Sequence, residues 1–338
     1  MSQSPDHTVA SENRTIQEAL LDRMFNTLGI YVVLPVLLTV GVLISSRFAA
    51  GDNLLNVLRN VTLLGIVSTG VAFITYSRHY VDLSIPAMMA FSGLAAISAQ
   101  PWGVTASLTV GLSAGLSIGA INGYAIGYRR VNPIIWTLAM QFMLDGFLRW
   151  AYSGHQIYPD KDTPAGLFFL NLSQRELWGG FPLPTLVMLV LAGIGQGIMK
   201  HSHFGTQVQL IGASYETARL SGVRVQWIVM LTFLLSSFTT TIAGLLLTSM
   251  NKQGTFDTGF GYEFNAITAI VLGGVNLTGG RGSIVGALGG VLVIGILLNL
   301  MTLVGLDSFS QMVVKGLVFI AVAGTTTWIA GKSGRNDA

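Results

Sequence analysis

YEFNAITAIVLGGVNLTGGRGSIVGALGG, residues Tyr262–Gly290, carries the pattern that decides the fold. Glu263 opens an apolar run that stops at Gly273-Gly274. A polar turn follows, in which Arg281 stands among Gly279, Gly280 and Gly282. A second apolar run then begins, with glycines at 282, 286 and 290. Two membrane helices joined by a very tight polar hairpin account for this pattern. Glycine supplies the backbone conformations a tight turn needs, and small residues at four-residue spacing let helices approach closely.

The composition agrees. Of 338 residues, 51% are hydrophobic and only 10% are charged, with a mean hydropathy of +0.63. A soluble domain carries about a quarter charged residues. The deficit excludes a water-facing surface and predicts an all-α, polytopic membrane protein. No cysteine is present, so disulfide frameworks and thiolate metal sites are excluded. The net charge of +3 does not indicate nucleic acid as a partner, because the basic residues are spread through the connections.

A helix needs about 20 apolar residues to cross the hydrocarbon core. That length predicts about ten transmembrane helices, at 29–46, 57–76, 83–99, 104–127, 133–152, 183–199, 227–250, 263–277, 283–304 and 309–330. The third and eighth are short and polar at their ends, where half-length helices also fit. Residues 28–330 then form a single transmembrane domain between a polar N-terminal tail, 1–27, and a C-terminal tail, 331–338. Residues 1–22 are polar and show no cleavable leader. With both termini cytoplasmic, the inside receives Arg14, Arg23, Arg78, Arg129, Arg130, Lys200, Arg219, Arg224, Arg281, Lys332 and Arg335. The outside receives Arg47, Arg59, Arg149, Lys161, Arg175 and Lys252. This bias fixes the expected orientation, since lysine and arginine favour cytoplasmic loops. Two connections are long, Tyr152–Pro182 outside and Lys200–Gln226 inside. The others are short, which leaves no room for a soluble catalytic domain.

Catalytic chemistry has no foothold. His7, His79, His155, His201 and His203 lie in or beside connections and make no metal-ligand spacing on a helix. Gly331-Lys332-Ser333 imitates the end of a phosphate loop, but Thr326 stands where its first glycine belongs and no strand precedes it. This chain is therefore expected to hold no cofactor, and ATP, if it drives the protein, is bound by another polypeptide.

Other positions offer binding or packing. Gly111, Gly115, Gly119, Gly123 and Gly127 recur every four residues, which places them on one helix face for close helix packing. In the long cytoplasmic connection, Ser214 is a good N-cap, Glu216 lies in the first turn, Arg219 near the last, and Gly222 can end the helix. A short helix is predicted from Tyr215 to Ser221, either as a solvated connector or as a lever that docks on a partner. Polar groups inside spans are costly in lipid and should face the protein interior. Asn122, Gln141 and Asn299 suit a polyhydroxylated solute as route-lining amides, or serve as helix–helix glue. Asp145 and Arg149 are spaced to pair, and Asp82 reads as a helix cap. Arg281 is placed to meet phospholipid headgroups and nearby carbonyls, with membrane lipid as the partner.

YEFNAITAIVLGGVNLTGGRGSIVGALGGVLVIGILLNLMTLVG resembles the C-terminal signature of permeases of sugar-importing ABC transporters, the ribose, arabinose, xylose and galactoside group. ETARLSGV, NPIIWTLAMQFMLDG and VDLSIPAMMAFSG resemble other segments of the same family, so the similarity runs from about Asn53 to Ala323. The resemblance implies that Glu216, Ala218 and Gly222, with Tyr215 and Arg219 beside them, belong to a coupling helix facing an ATPase. It implies that Gly273, Gly274, Gly279, Gly280 and Gly282 form the family's structural hairpin, with Arg281 at a variable basic position. It also implies an ABC ATPase subunit, a periplasmic solute-binding protein and a second permease subunit, in a homodimer or heterodimer, at the bacterial inner membrane. An ion-driven secondary transporter is the competing class. That class places carboxylates near the bilayer midplane, whereas Asp82 and Glu263 lie near the ends of predicted spans.

Overall fold

The computed structural model describes residues 33–79, 81–177, 180–277, 279–280 and 282–333. The expected N-terminal tail, the end of the C-terminal tail from 334 on, and Arg281 lie outside the described residues. Helices dominate. They are α1 (Val33–Ile44), α2 (Gly51–Tyr76), α3 (Ile85–Ser98), α4 (Val104–Gly127), α5 (Pro133–Ala151), α6 (Pro164–Leu172), α7 (Leu183–His201), α8 (His203–Ala213), α9 (Tyr215–Leu220), α10 (Val225–Asn251), α11 (Tyr262–Leu272), α12 (Ile284–Leu303) and α13 (Ser308–Ser333). Each of the ten apolar stretches overlaps one of these helices. Among the described residues, α2, α4, α7, α10 and α12 are long and apolar enough to cross a membrane.

Four features depart from the sequence-based expectation. The first is α2, which starts at Gly51 because the polar stretch Asp52–Asn56 continues the helix, with Asp52 favourably placed in its first turn. The second is α11, which ends at Leu272, because Gly274 takes a left-handed conformation (φ 79°). There the Val275 N–H turns back to the Ile270 carbonyl at 2.9 Å. At 11 residues, α11 is about 16 Å long, half the hydrocarbon thickness. Third, α8 occupies the long α7–α10 connection ahead of α9, and fourth, α6 occupies the α5–α7 connection. The α5–α7 connection also holds a two-stranded antiparallel ribbon, β1 (Glu176–Leu177) with β2 (Phe181–Pro182), pairing Glu176 with Pro182.

The core is built around α10, which packs on α2, α3 and α4, while α2 packs on α7, α11 and α12. Along α4, the five-glycine face lies against α10 in antiparallel order. A Cβ at Gly111 would come within 2.9 Å of Leu245. At Gly115 and Gly119 it would overlap Thr241 and Ser237, at Gly123 it would meet the Met230 carbonyl oxygen at 2.9 Å, and at Gly127 the Gln226 carbonyl oxygen at 2.6 Å. Helix backbones this close gain dispersion contacts that side chains would prevent.

The stretch between α10 and α11 is irregular yet anchored. Ile157 and Gly254 exchange two backbone hydrogen bonds of 3.1 and 2.8 Å. Phe256 packs against the buried cluster of Ala90, Leu94 and Leu148.

A leucine at Gly119 should force α4 off α10, an overpacking cost of about 1–3 kcal/mol. A leucine at Gly146 on α5, where nothing lies within 4 Å of an added Cβ, should cost little. Thermal unfolding of the two variants in detergent checks this. Equal melting temperatures would contradict the close α4–α10 contact.

Candidate functional site

The short helix α9 follows directly from its sequence. Ser214 is extended (φ −158°) and its Oγ accepts the Thr217 N–H at 3.2 Å. Gly222 has φ 79°, and the Val223 N–H closes the end on the Ala218 carbonyl at 3.1 Å. Ala218 is fully buried, whereas Leu220 is 81% exposed. Glu216 and Arg219 are exposed and pair at 3.2 Å. That pair contributes little to stability in water, so both charges remain available to a partner. Tyr215 lies 5.8 Å from the Arg130 guanidinium, which links α9 to the α4–α5 turn. One face of α9 is thus seated on the protein and the other presents an acid, a base and a leucine.

Asn122 and Gln141 converge, with Thr137, on the start of α3. The Asn122 amide donates to Ser84 Oγ at 2.9 Å, and its carbonyl oxygen accepts from Trp136 Nε1 at 3.0 Å. Asn122 is fully buried. Gln141 Oε1 accepts the Ala87 N–H at 2.9 Å, and Thr137 Oγ1 accepts the Leu83 N–H at 2.9 Å. Gln141 and Thr137, both on α5, thus satisfy backbone donors that the beginning of a helix leaves unpaired, while Asn122 of α4 holds the hydroxyl of its cap residue. The N-cap of α3 is Ser84, not Asp82. Asp82 stands two residues earlier, where its Oδ1 accepts both the N–H and the hydroxyl of Ser84. The Gln141 amide nitrogen makes no hydrogen bond among the described residues and keeps its donors free.

Asn299 is elsewhere, on α12. It exchanges two amide hydrogen bonds of 2.8 and 3.0 Å with Asn53 of α2. Asp145 and Arg149 do pair, at 3.0 Å, and Arg149 also reaches Asp257 at 3.3 Å with its guanidinium 5.1 Å from the Phe256 ring. Sequence spacing gave the first partner but not the other two, which lie more than a hundred residues away. On α11, Glu263 is 7% exposed and its Oε2 has no hydrogen-bond partner among the described residues. A groove of about 650 Å³ opens beside the α4–α5 turn, lined mainly by apolar side chains including Ile121, Tyr124, Trp136 and Met230, with Arg129 as its cation. No cluster of three or more metal-ligating side chains occurs among the described residues.

Between α2 and α3, His79 Nδ1 lies 2.7 Å from the Ser77 carbonyl, so Nδ1 carries the proton and donates it. Burial holds the imidazole below its ordinary value, opposed by that carbonyl.

The stretch from residue 53 to 323 matches the family described as the branched-chain amino acid transport system / permease component. The chain belongs to this permease family. It is 34% identical over 304 residues to the ribose import permease protein of Bacillus subtilis (strain 168), covering 88% of this chain and 92% of that one. It is 31% identical over 306 residues to the L-arabinose transport system permease protein of Escherichia coli (strain K12), covering 88% and 90%. The L-arabinose ABC transporter permease protein of Azospirillum brasilense is 30% identical over 302 residues, covering 88% and 86%. This permease is a multi-pass membrane protein and not an enzyme.

Because the folded His79 binds its proton less readily than the unfolded one, its contribution is full above the ordinary histidine value, about 6.5, and is lost as pH falls through it. Thermal stability should therefore begin to drop once pH falls below about 6.5. His79→Gln should flatten that dependence, and an unchanged slope in the variant would count against it.

Proposed function

We propose that this chain is the permease subunit of a bacterial ABC importer, carrying a sugar or sugar-like solute from periplasm to cytoplasm by alternating access. The observation that carries the reading is α9. It is a capped, half-buried helix between two longer ones, with Glu216, Arg219 and Leu220 exposed and Ala218 locked beneath. A helix held at both ends moves as a unit with its neighbours, which suits it to receive force from an ATPase. Relatives named for ribose and L-arabinose support the solute class.

In this reading ten helices cross the inner membrane, with α8, α9 and both termini on the cytoplasmic side. Tyr215, Glu216, Ala218, Arg219 and Gly222 form the ATPase-coupling element. ATP is bound by the partner ATPase, and this chain needs no cofactor. A periplasmic binding protein delivers solute to a pair of permease subunits. Asn122 and Asn299 shape the walls of the route through the bonds they hold. Gln141, whose amide nitrogen makes no hydrogen bond among the described residues, has both N–H donors left for a hydroxylated solute, whereas Asn122 and Asn299 have each committed one.

The test is reconstitution with the ATPase and binding protein. The permease alone should hydrolyse no ATP. Glu216→Arg should insert normally but lose most solute-stimulated hydrolysis and uptake, because it reverses the charge offered to the ATPase. Hydrolysis by the permease alone, or wild-type uptake in the variant, would overturn the reading.

A further inference from the structure

Three chain segments meet backbone to backbone immediately before α9. The end of α2 contributes Tyr76, whose carbonyl accepts the Gly280 N–H at 3.1 Å. The turn between α11 and α12 contributes Gly279 and Gly280, both left-handed, with φ of 86° and 78°. The end of α8 contributes Gly212 and Ala213, two and one residues ahead of the α9 cap Ser214. A Cβ at Gly212 would overlap both the Tyr76 carbonyl oxygen and the Gly280 backbone nitrogen. A Cβ at Gly279 would lie 3.0 Å from the Gly212 Cα, the Tyr76 carbonyl oxygen and the Arg78 Cβ alike. At Gly280 it would lie 3.1 Å from the Ala213 nitrogen.

We infer that Gly212, with Gly279 and Gly280, is the positioning element that joins α9 rigidly to α2 and to the α11–α12 pair, so that a push on α9 moves those helices together. The argument is mechanical and rests on reading α9 as the ATPase-coupling helix. Side chains yield by changing rotamer, whereas backbone in direct contact has no such slack. Fewer than ten residues separate Gly212 from the far end of α9, and α8 itself is held at its start by the Ser202 cap. Displacement entering at Glu216 therefore reaches Tyr76 and Gly280 with little loss. From Gly280 the path continues into α12, and through Gly273 into α11. There an added Cβ at Gly273 would overlap the Gly286 carbonyl oxygen, and one at Gly290 the Ala269 carbonyl oxygen. At its other end α11 begins beside the irregular segment that Asp257 ties to Arg149. The glycines at this junction thus do more than permit a turn: they make a stiff joint between the handle and the helices that must move.

The absence of cysteine allows a single thiol to report the motion. Phe260, 67% exposed and two residues before α11, is replaced by Cys and labelled with an environment-sensitive fluorophore. The labelled permease, assembled with its ATPase, is given ATP with vanadate. The parent should show a nucleotide-driven change in fluorescence. Gly212→Ala should cut its amplitude at least about threefold while still binding the ATPase. Gly166→Ala is the control for steric damage alone, since its Cβ would overlap the Asp160 carbonyl oxygen far from the junction. It should lower stability and leave the amplitude unchanged. If Gly212→Ala fails to insert, Gly280→Asn gives a milder wedge, because asparagine tolerates the left-handed region. Parental amplitude in the junction variant, or equal loss in the control, overturns the inference. A parent with no nucleotide-driven change overturns instead the reading of α9 as the coupling helix.

Discussion

Apolar side chains gain nothing from one another in a solvent as apolar as they are. Helices in a bilayer therefore associate through close packing and paired polar groups, and every backbone donor and acceptor must be satisfied within the protein. Nearly every feature of this permease follows from that constraint. The glycine face of α4 brings its backbone against α10, and the α11–α12 pair does the same at Gly273, Gly286 and Gly290. Where helices break, polar side chains fill in. Thr137 and Gln141 take up donors at the start of α3, while Gln196 Oε1 accepts the Ile284 N–H at 2.9 Å at the start of α12.

The same constraint explains how the two ends of the molecule can communicate. A bundle held by backbone contacts is stiff along those contacts and compliant elsewhere. The joint at Tyr76, Gly212 and Gly280 is a stiff point. The half-length α11, preceded by the irregular segment around Phe256 and Asp257, is a place where the chain can bend. Arg149 ties that segment to α5 through exposed ion pairs, which contribute little stability.

Much of this was legible in the sequence because apolar runs and caps are local signals. The five long apolar helices announced themselves by length, α9 by Ser214 and Gly222, and the packing face of α4 by a strict period. The half-length of α11 was harder to see, since Val275 and Leu277 prolong the apolar run past the glycines that end the helix. The helix α8 was missed although Phe204, Val208 and Ile211 recur at helical spacing and Ser202 caps it. Its mixed polarity reads as a connection when the search is for membrane spans. The partners of Asn122, Asn299 and Arg149 depend on distant segments meeting, and no local pattern encodes that. Asn122 and Asn299 suited a solute-binding role, and the fold has spent amide hydrogen bonds of both on its own side chains.

The account rests on α9 facing the compartment that supplies ATP while the α5–α6 connection faces the other. Single cysteines in the cysteine-free chain test this directly, at Arg219→Cys on α9 and Lys161→Cys in that connection, with a membrane-impermeant maleimide. In intact cells with a permeable outer layer, Lys161→Cys should be labelled and Arg219→Cys protected. In inside-out vesicles the pattern should reverse. Labelling of both positions from the same side would contradict the arrangement on which coupling depends.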